Sequence, residues 1–159
     1  SGWWNKATLF SKRAKLSGRV IYVDLDTVLV SSLNALASFR GLFATLGTDD
    51  FKNEGRSGGL NSSVMLWNAS SSEMIEIFER LERCSPAVMK KCVHRFDHWL
   101  EMNLTNVPRL QSLFPGLFVE YAQHCTPSGY PAKAAVINFP LEPKPHSVKM
   151  LSWMKKHWV

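Results

Sequence analysis

The chain has 159 residues, 45% apolar and 20% charged, which excludes a disordered or fibrous chain and allows a single domain or a piece of one. Its 19 Lys and Arg against 13 Asp and Glu leave a formal charge of +6, which suits nucleic acid, an anionic membrane surface or a phosphorylated ligand. No apolar run approaches the ~18 residues that a membrane span needs, so no span is expected.

The cations are scattered. Lys12-Arg13-Lys15, Lys90-Lys91 and Lys155-Lys156 are short clusters, and none sits in a nucleic-acid motif such as a zinc finger or an RNP box. Cys84, Cys92 and Cys125 form an odd set without CxxC spacing, which argues against a disulfide framework or a structural zinc site and favours a reducing compartment. Ser1-Gly2-Trp3-Trp4 carries no initiator Met, charged n-region or small-residue cleavage site, so no signal peptide is read there and the natural chain is expected to begin earlier.

In chain order, residues 7–15 read as a short helix with Leu9 and Phe10 facing inward, broken by Ser17-Gly18. Residues 19–24 are a β-rich, nearly continuous apolar run, the pattern of a central strand covered on both faces. It ends at Asp24-Leu25-Asp26, and a second apolar run over 27–30 leads to Ser31-Ser32. A strand is expected over 41–46, a glycine-containing loop over 47–59 and another strand over 63–67. The run Ser70-Ser71-Ser72-Glu73 is a helix entrance, with serines to cap free amides and an acid in the first turn. Met74, Ile77, Phe78 and Leu81 then recur at helical spacing. Further helices are expected from Pro86 to Val93 and over 96–102, strands over 117–121 and 134–139, and a last helix over about 147–158. Strands and helices alternate, so the class is α/β. Ile21, Val23, Leu25, Val64, Leu66, Val136 and Ile137 should be buried.

The pair Asp24 and Asp26 is the most informative feature. In extended chain, residues i and i+2 point to one side, so both carboxylates can face one divalent cation. Open α/β sheets also bind ligands at the carboxyl ends of their strands. The plainer reading is two turn or cap acids. The five histidines are spread out, no serine lies in a GxSxG elbow, and the tryptophans are more often core or interface anchors than sugar-stacking rings.

Four blocks change that balance. Gly2-Trp3-Trp4-Asn5-Lys6, the run from Ile21 through Asp24-Leu25-Asp26 to Val28, Leu60-Asn61-Ser62-Ser63-Val64-Met65 and Pro143-Lys144-Pro145-His146 together resemble a glycosyltransferase of the GT-A fold. The nearest resemblance is to the glycogenin-like, retaining group and its uncharacterised bacterial, phage and protist relatives, and it covers nearly the whole chain. It implies a mixed sheet flanked by helices, with residues 1–159 forming the C-terminal portion of one GT-A domain whose opening β-α units hold the nucleotide base. It implies that Asp24 and Asp26 hold Mn²⁺ or Mg²⁺ against the diphosphate of a nucleotide sugar, since a hard cation with oxygen ligands neutralises that leaving group. By the same resemblance, Lys6 and Lys144 add positive charge near the phosphates, and Asn61 and Ser62 contact sugar or acceptor. Asp97 is the candidate catalytic acid, resembling that of the family's Gly-Asp-Gln segment.

The chain also departs from the family. Where relatives carry a third metal ligand, a His in a Phe-His-Gly segment, this chain has Phe139-Pro140-Leu141, and Pro140 cannot bind metal. Phe96 and His98 flank Asp97 in place of Gly and Gln. Two functions follow: a metal-dependent glycosyltransferase acting on a nucleotide sugar and an acceptor, or a domain that has lost catalysis and serves as a structural subunit among protein partners. The basic charge would suit an RNA-containing assembly in the second case. A domain without the opening units needs its sheet edge covered, and at least two of Trp3, Trp4, Trp153 and Trp158 are expected at that junction.

Overall fold

The computed structural model describes residues 2–85, 87 and 93–158, with the backbone alone for 2–4. A 3₁₀ helix over Gly2–Phe10 leads through Lys12–Ala14 to strands β1 (Arg19–Val23) and β2 (Thr27–Leu29). A 3₁₀ turn at Asn34–Ser38 precedes β3 (Phe43–Gly47) and the long β4 (Leu60–Asn68). Helices α1 (Ser72–Arg83), α2 (Phe96–Asn103) and α3 (Leu110–Leu113) follow, then β5 (Phe118–Glu120), α4 (Tyr121–His124) and β6 (Val136–Asn138). The chain closes with a 3₁₀ turn at Pro145–Val148 and α5 (Ser152–His157).

Where the sequence suggests one mixed sheet, the strands form two small sheets flanked by helices. The first has the order β1-β4-β3 with both pairings antiparallel, and the second has the order β2-β6-β5. In the second, β2 pairs antiparallel and β5 parallel with β6. The central strand of the first sheet is β4, not β1. Met65 and Trp67 point into a core made with Phe10, Met74, Phe96 and Leu100, while Val64 and Leu66 point to the opposite face with Leu36, Leu46 and Leu110. Alternate side chains thus meet apolar cover on both faces, as in a central strand.

Residues 19–24 have the composition of such a strand but a different place. Among the described residues β1 pairs with β4 alone, so Ile21 is 38% exposed although its register partner Leu66 is fully buried. Leu25 lies in a turn and is 94% exposed, so Ile21 and Leu25 are exposed rather than buried and Val23 is only half-buried, whereas Val64, Leu66, Val136 and Ile137 are buried. Hydrophobic residues at an edge and in a turn are indistinguishable from core ones by composition alone.

Helix α1 follows its local signals. The Ser71 hydroxyl accepts a hydrogen bond from the Glu73 N–H, Glu73 occupies the first turn, and Arg80 and Arg83 the last. Met74, Ile77 and Phe78 are buried on one face, and Glu76–Arg80 and Glu79–Arg83 pair along another. The expected last helix is shorter and broken, because Leu151 takes an extended conformation between the 3₁₀ turn and α5. Trp153 is buried in a third cluster with Val28, Ile137 and Phe139, donates Nε1–H to the Thr126 carbonyl at 3.3 Å and packs against Tyr121 and Tyr130. It is a core residue of the second sheet, and Trp158 packs on the same cluster. The side chains of Trp3 and Trp4 lie outside the described residues, as does nearly all of the helix expected from Pro86. Among the described residues no helix is long and apolar enough to cross a membrane.

Candidate functional site

The site is built on a turn and a bulge. The turn is Asp24-Leu25-Asp26-Thr27, closed by the Thr27 N–H donating to the Asp24 carbonyl at 3.1 Å. It joins β1 of one sheet to β2 of the other, so both aspartates lie at the seam between the sheets. They are therefore not on extended chain, and each carboxylate has its own cation.

The bulge lies in β4. Its register with β3 jumps between Thr45, opposite Met65, and Leu46, opposite Asn61, so residues 62–64 have no partner on β3. The buried Thr45 hydroxyl sits 2.7 Å from the carbonyls of both Asn61 and Val64, and the Asp24 N–H donates to the Ser63 carbonyl at 2.7 Å. The hydroxyl gives its one proton to one of these two carbonyls at the break, while the Asp24–Ser63 bond extends the β1–β4 ladder by one pair. The small side chains of Ser62 and Ser63 let the strand bend there. The bend delivers Asn61 and Ser62 to the same cleft as the Asp turn.

That cleft has a volume of about 110 Å³, and all seven sequence-predicted site residues line it: Lys6, Asp24, Asp26, Asn61, Ser62, Asp97 and Lys144. Lys6 Nζ lies 2.6 Å from Asp24 Oδ2 and 3.3 Å from both oxygens of Ser62, the carbonyl and the hydroxyl. The Tyr22 hydroxyl donates to Asp24 Oδ1 at 2.6 Å, and Lys6 Nζ also stands 5.6 Å from the Tyr22 ring centre. Lys144 Nζ lies 2.6 Å from Asp26 Oδ2 and 3.1 Å from the Phe139 carbonyl. Asp97 Oδ1 accepts the Ser62 N–H at 2.8 Å, which fixes the carboxylate against the bulge. Pro140 forms part of the wall.

The Tyr22 hydroxyl is pushed well above its ordinary range, first by burial, then by the hydrogen bond it gives Asp24, then by the charges of Asp24 and Asp26. It stays a donor at any physiological pH.

Glu54 and Arg95 also line the cleft and were not marked by sequence reasoning. They form an ion pair with each other, and Glu54 Oε2 accepts from Asn61 Nδ2 at 3.1 Å. Nothing in the local sequence separates Glu54 from the other polar residues of the 47–59 loop. Tyr22 had a signal: it stands two residues before Asp24 on a strand, the spacing that puts two side chains on one side.

On the other side of the Asp turn lies an open groove of about 540 Å³ that shares Lys6, Asp24 and Asp26 with the cleft. Cleft and groove together are large enough for a drug-sized ligand, which needs roughly 300–1,000 Å³. The cleft by itself is not.

Among the described residues, no group of three or more His, Cys, Asp or Glu is arranged to hold a metal ion. The Asp pair offers two carboxylates without a third protein ligand. Such a donor set does not make a cage for a free ion. A Mg²⁺ or Mn²⁺ ion there would need phosphate oxygens to complete its shell, since such ions are commonly held by one or two carboxylates plus substrate oxygens. No protein-family model matches this sequence and no curated protein matches it, so the chemistry of the cleft itself carries the functional argument.

Proposed function

We propose that the cleft and its adjoining groove bind the diphosphate of a nucleotide sugar together with a divalent cation, and that the protein is a GT-A-type glycosyltransferase. The observation that carries this reading is the pairing of Lys6 with Asp24 and of Lys144 with Asp26 in one cleft that also holds Asn61, Ser62 and Asp97. Lys6, Asp24, Asp26, Asn61, Ser62 and Lys144 come from four blocks spread from the first to the last part of the chain, and Asp97 from α2.

The charge arithmetic gives the pairing a purpose. Lys6, Lys144 and Arg95 face Asp24, Asp26, Glu54 and Asp97, three cations against four anions among the lining residues. A diphosphate alone would enter a cleft with no positive excess. A divalent cation on Asp24 and Asp26 would supply the missing charge and neutralise the leaving diphosphate. Lys6 and Lys144, released from their carboxylates, would then turn a short distance onto phosphate oxygens. Asp97, held by the Ser62 N–H, would orient a sugar hydroxyl beside Asn61.

A second reading has its own observation. Both carboxylates are already balanced by ammonium groups, and Pro140 stands in the wall where relatives of the resembled family would place a ligand. A cleft satisfied in this way is stable without substrate, as a domain that has lost catalysis and acts as a structural subunit would be. One titration separates the two. The full-length protein should bind Mn²⁺ with a nucleoside diphosphate but neither one tightly alone, and the structural reading requires no binding of any of the three.

A further inference from the structure

Lys6 Nζ already fills the place of a cation. Three oxygens surround it: Asp24 Oδ2 at 2.6 Å, and the Ser62 carbonyl and hydroxyl, both at 3.3 Å. The other oxygen of Asp24 takes the Tyr22 hydroxyl at 2.6 Å, which holds the carboxylate with Oδ2 toward the ammonium. A carboxylate, a carbonyl and a hydroxyl are also the oxygen donors that hard divalent cations take. An ammonium and such an ion therefore compete for the same lone pairs, and Ser62 adds two oxygens to what the Asp pair offers. Lys144 has the poorer set, with Asp26 Oδ2 at 2.6 Å and the Phe139 carbonyl at 3.1 Å on a more exposed pair.

The surroundings let the Lys6 ammonium leave. Ala7 and Phe10 are buried in the core with Met65 and Trp67 and anchor the opening 3₁₀ helix, so the backbone can stay while the flexible stem turns. Lys6 also lines the open groove on the other side of the Asp turn, which gives its ammonium a place to go. Charge decides what can follow it. With Lys6 withdrawn, Lys144 and Arg95 face Asp24, Asp26, Glu54 and Asp97, two cations against four carboxylates. One divalent ion balances that deficit, and a monovalent ion does not. We infer that Lys6 is a built-in plug in a divalent-cation site formed by Asp24 Oδ2 and both oxygens of Ser62, and that the ion binds by displacing its ammonium. Ser62 then serves the cation rather than a sugar or acceptor. The plug rests on the cation half of the proposed function alone, since neither nucleotide nor sugar is needed for it.

Mn²⁺ without nucleotide tests this on the full-length protein, by calorimetry and thermal unfolding. Lys6→Met keeps the stem and removes the charge. In metal-free buffer it should unfold earlier than the unaltered protein, and Mn²⁺ should restore the lost stability by binding the folded state. It should bind one Mn²⁺ at least about tenfold more tightly than the unaltered protein, because the competing charged hydrogen bond is gone. Lys144→Met should gain less. In the Lys6→Met background, Asp24→Asn should abolish the gain and Ser62→Ala should reduce it. Lys6→Gln serves for the same comparison if Lys6→Met does not fold. Unchanged Mn²⁺ affinity in the folded Lys6 variant, an equal or larger gain in Lys144→Met, or a gain that Asp24→Asn or Ser62→Ala leaves intact would each overturn the inference. A gain without nucleotide in a protein that ignores Mn²⁺ with every nucleoside diphosphate would uphold the plug and refute the glycosyltransferase reading.

Discussion

Lys6 and Lys144 make the same contact at different depths, and that difference sets what each is worth. The side chains of Lys6 and Asp24 are 15% and 17% exposed, those of Lys144 and Asp26 29% and 38%. Removing Lys6 leaves a part-buried carboxylate whose remaining donor among the described residues is Tyr22, so Lys6→Ala should cost about 2 kcal/mol in urea denaturation. Lys144→Ala should cost about 1 kcal/mol or less, since water replaces the ammonium on a more open pair. Tyr22 adds a pH signature. Its hydroxyl titrates higher in the folded than in the unfolded protein, so the stability it lends is fully present below its ordinary value near pH 10 and falls as pH climbs above that. Tyr22→Phe should flatten that alkaline loss in a pH series of thermal midpoints, and an unchanged slope would count against the hydrogen bond. Cys125 makes a simpler case: burial, then the charge of Glu120, pushes its thiol up to about 11. It should therefore alkylate slowly with iodoacetamide at neutral pH and faster only in strong alkali.

At the scale of elements, the bulge in β4 does more for the site than any strand residue by itself. The Thr45 hydroxyl gives its proton to a carbonyl at the register jump, that of Asn61 or of Val64, so Thr45→Val should cost about 1–2 kcal/mol and loosen Ser62 in the cleft. The variant should therefore bind diphosphate less well in addition to unfolding earlier. The β1–β4 pair gives a cleaner contrast. Ile21 and Leu66 are register partners, one at the rim and the other fully buried. Leu66→Ala should cost roughly 2–5 kcal/mol and Ile21→Ala clearly less, as measured by chemical denaturation. Equal costs would mean that β1 has cover on its outer side. These elements also mark what the sequence discloses. Helix α1 is legible because its cap, its first-turn acid and its apolar spacing are local. The strand character of β1 is legible for the same reason. Its edge position is not, because that depends on which strands pair, and pairing is decided by residues more than forty positions away. The bulge leaves no local signal beyond two small residues.

For the whole molecule, the decisive arrangement is a seam. The Asp turn leaves one sheet and enters the other, the 3₁₀ segment brings Lys6 from the start of the chain, and the stretch after β6 brings Lys144 from near its end. Six site residues from four separated blocks, together with Asp97 of α2, line the one cleft at that seam. What the sequence left out is how the charges compensate: nothing local announces that each aspartate carries a lysine, or that Glu54 and Arg95 complete the wall. Under the proposed function, this compensated cleft opens for a metal-bound diphosphate. Calorimetric titration of the full-length protein with Mn²⁺, with each common nucleoside diphosphate, and with the two together tests it most directly. Heat is expected only, or far more strongly, for the pair, with Asp26→Asn losing at least about tenfold in affinity, the equivalent of 1.4 kcal/mol. Silence in all three titrations, or binding of the pair that Asp26→Asn leaves intact, would contradict it.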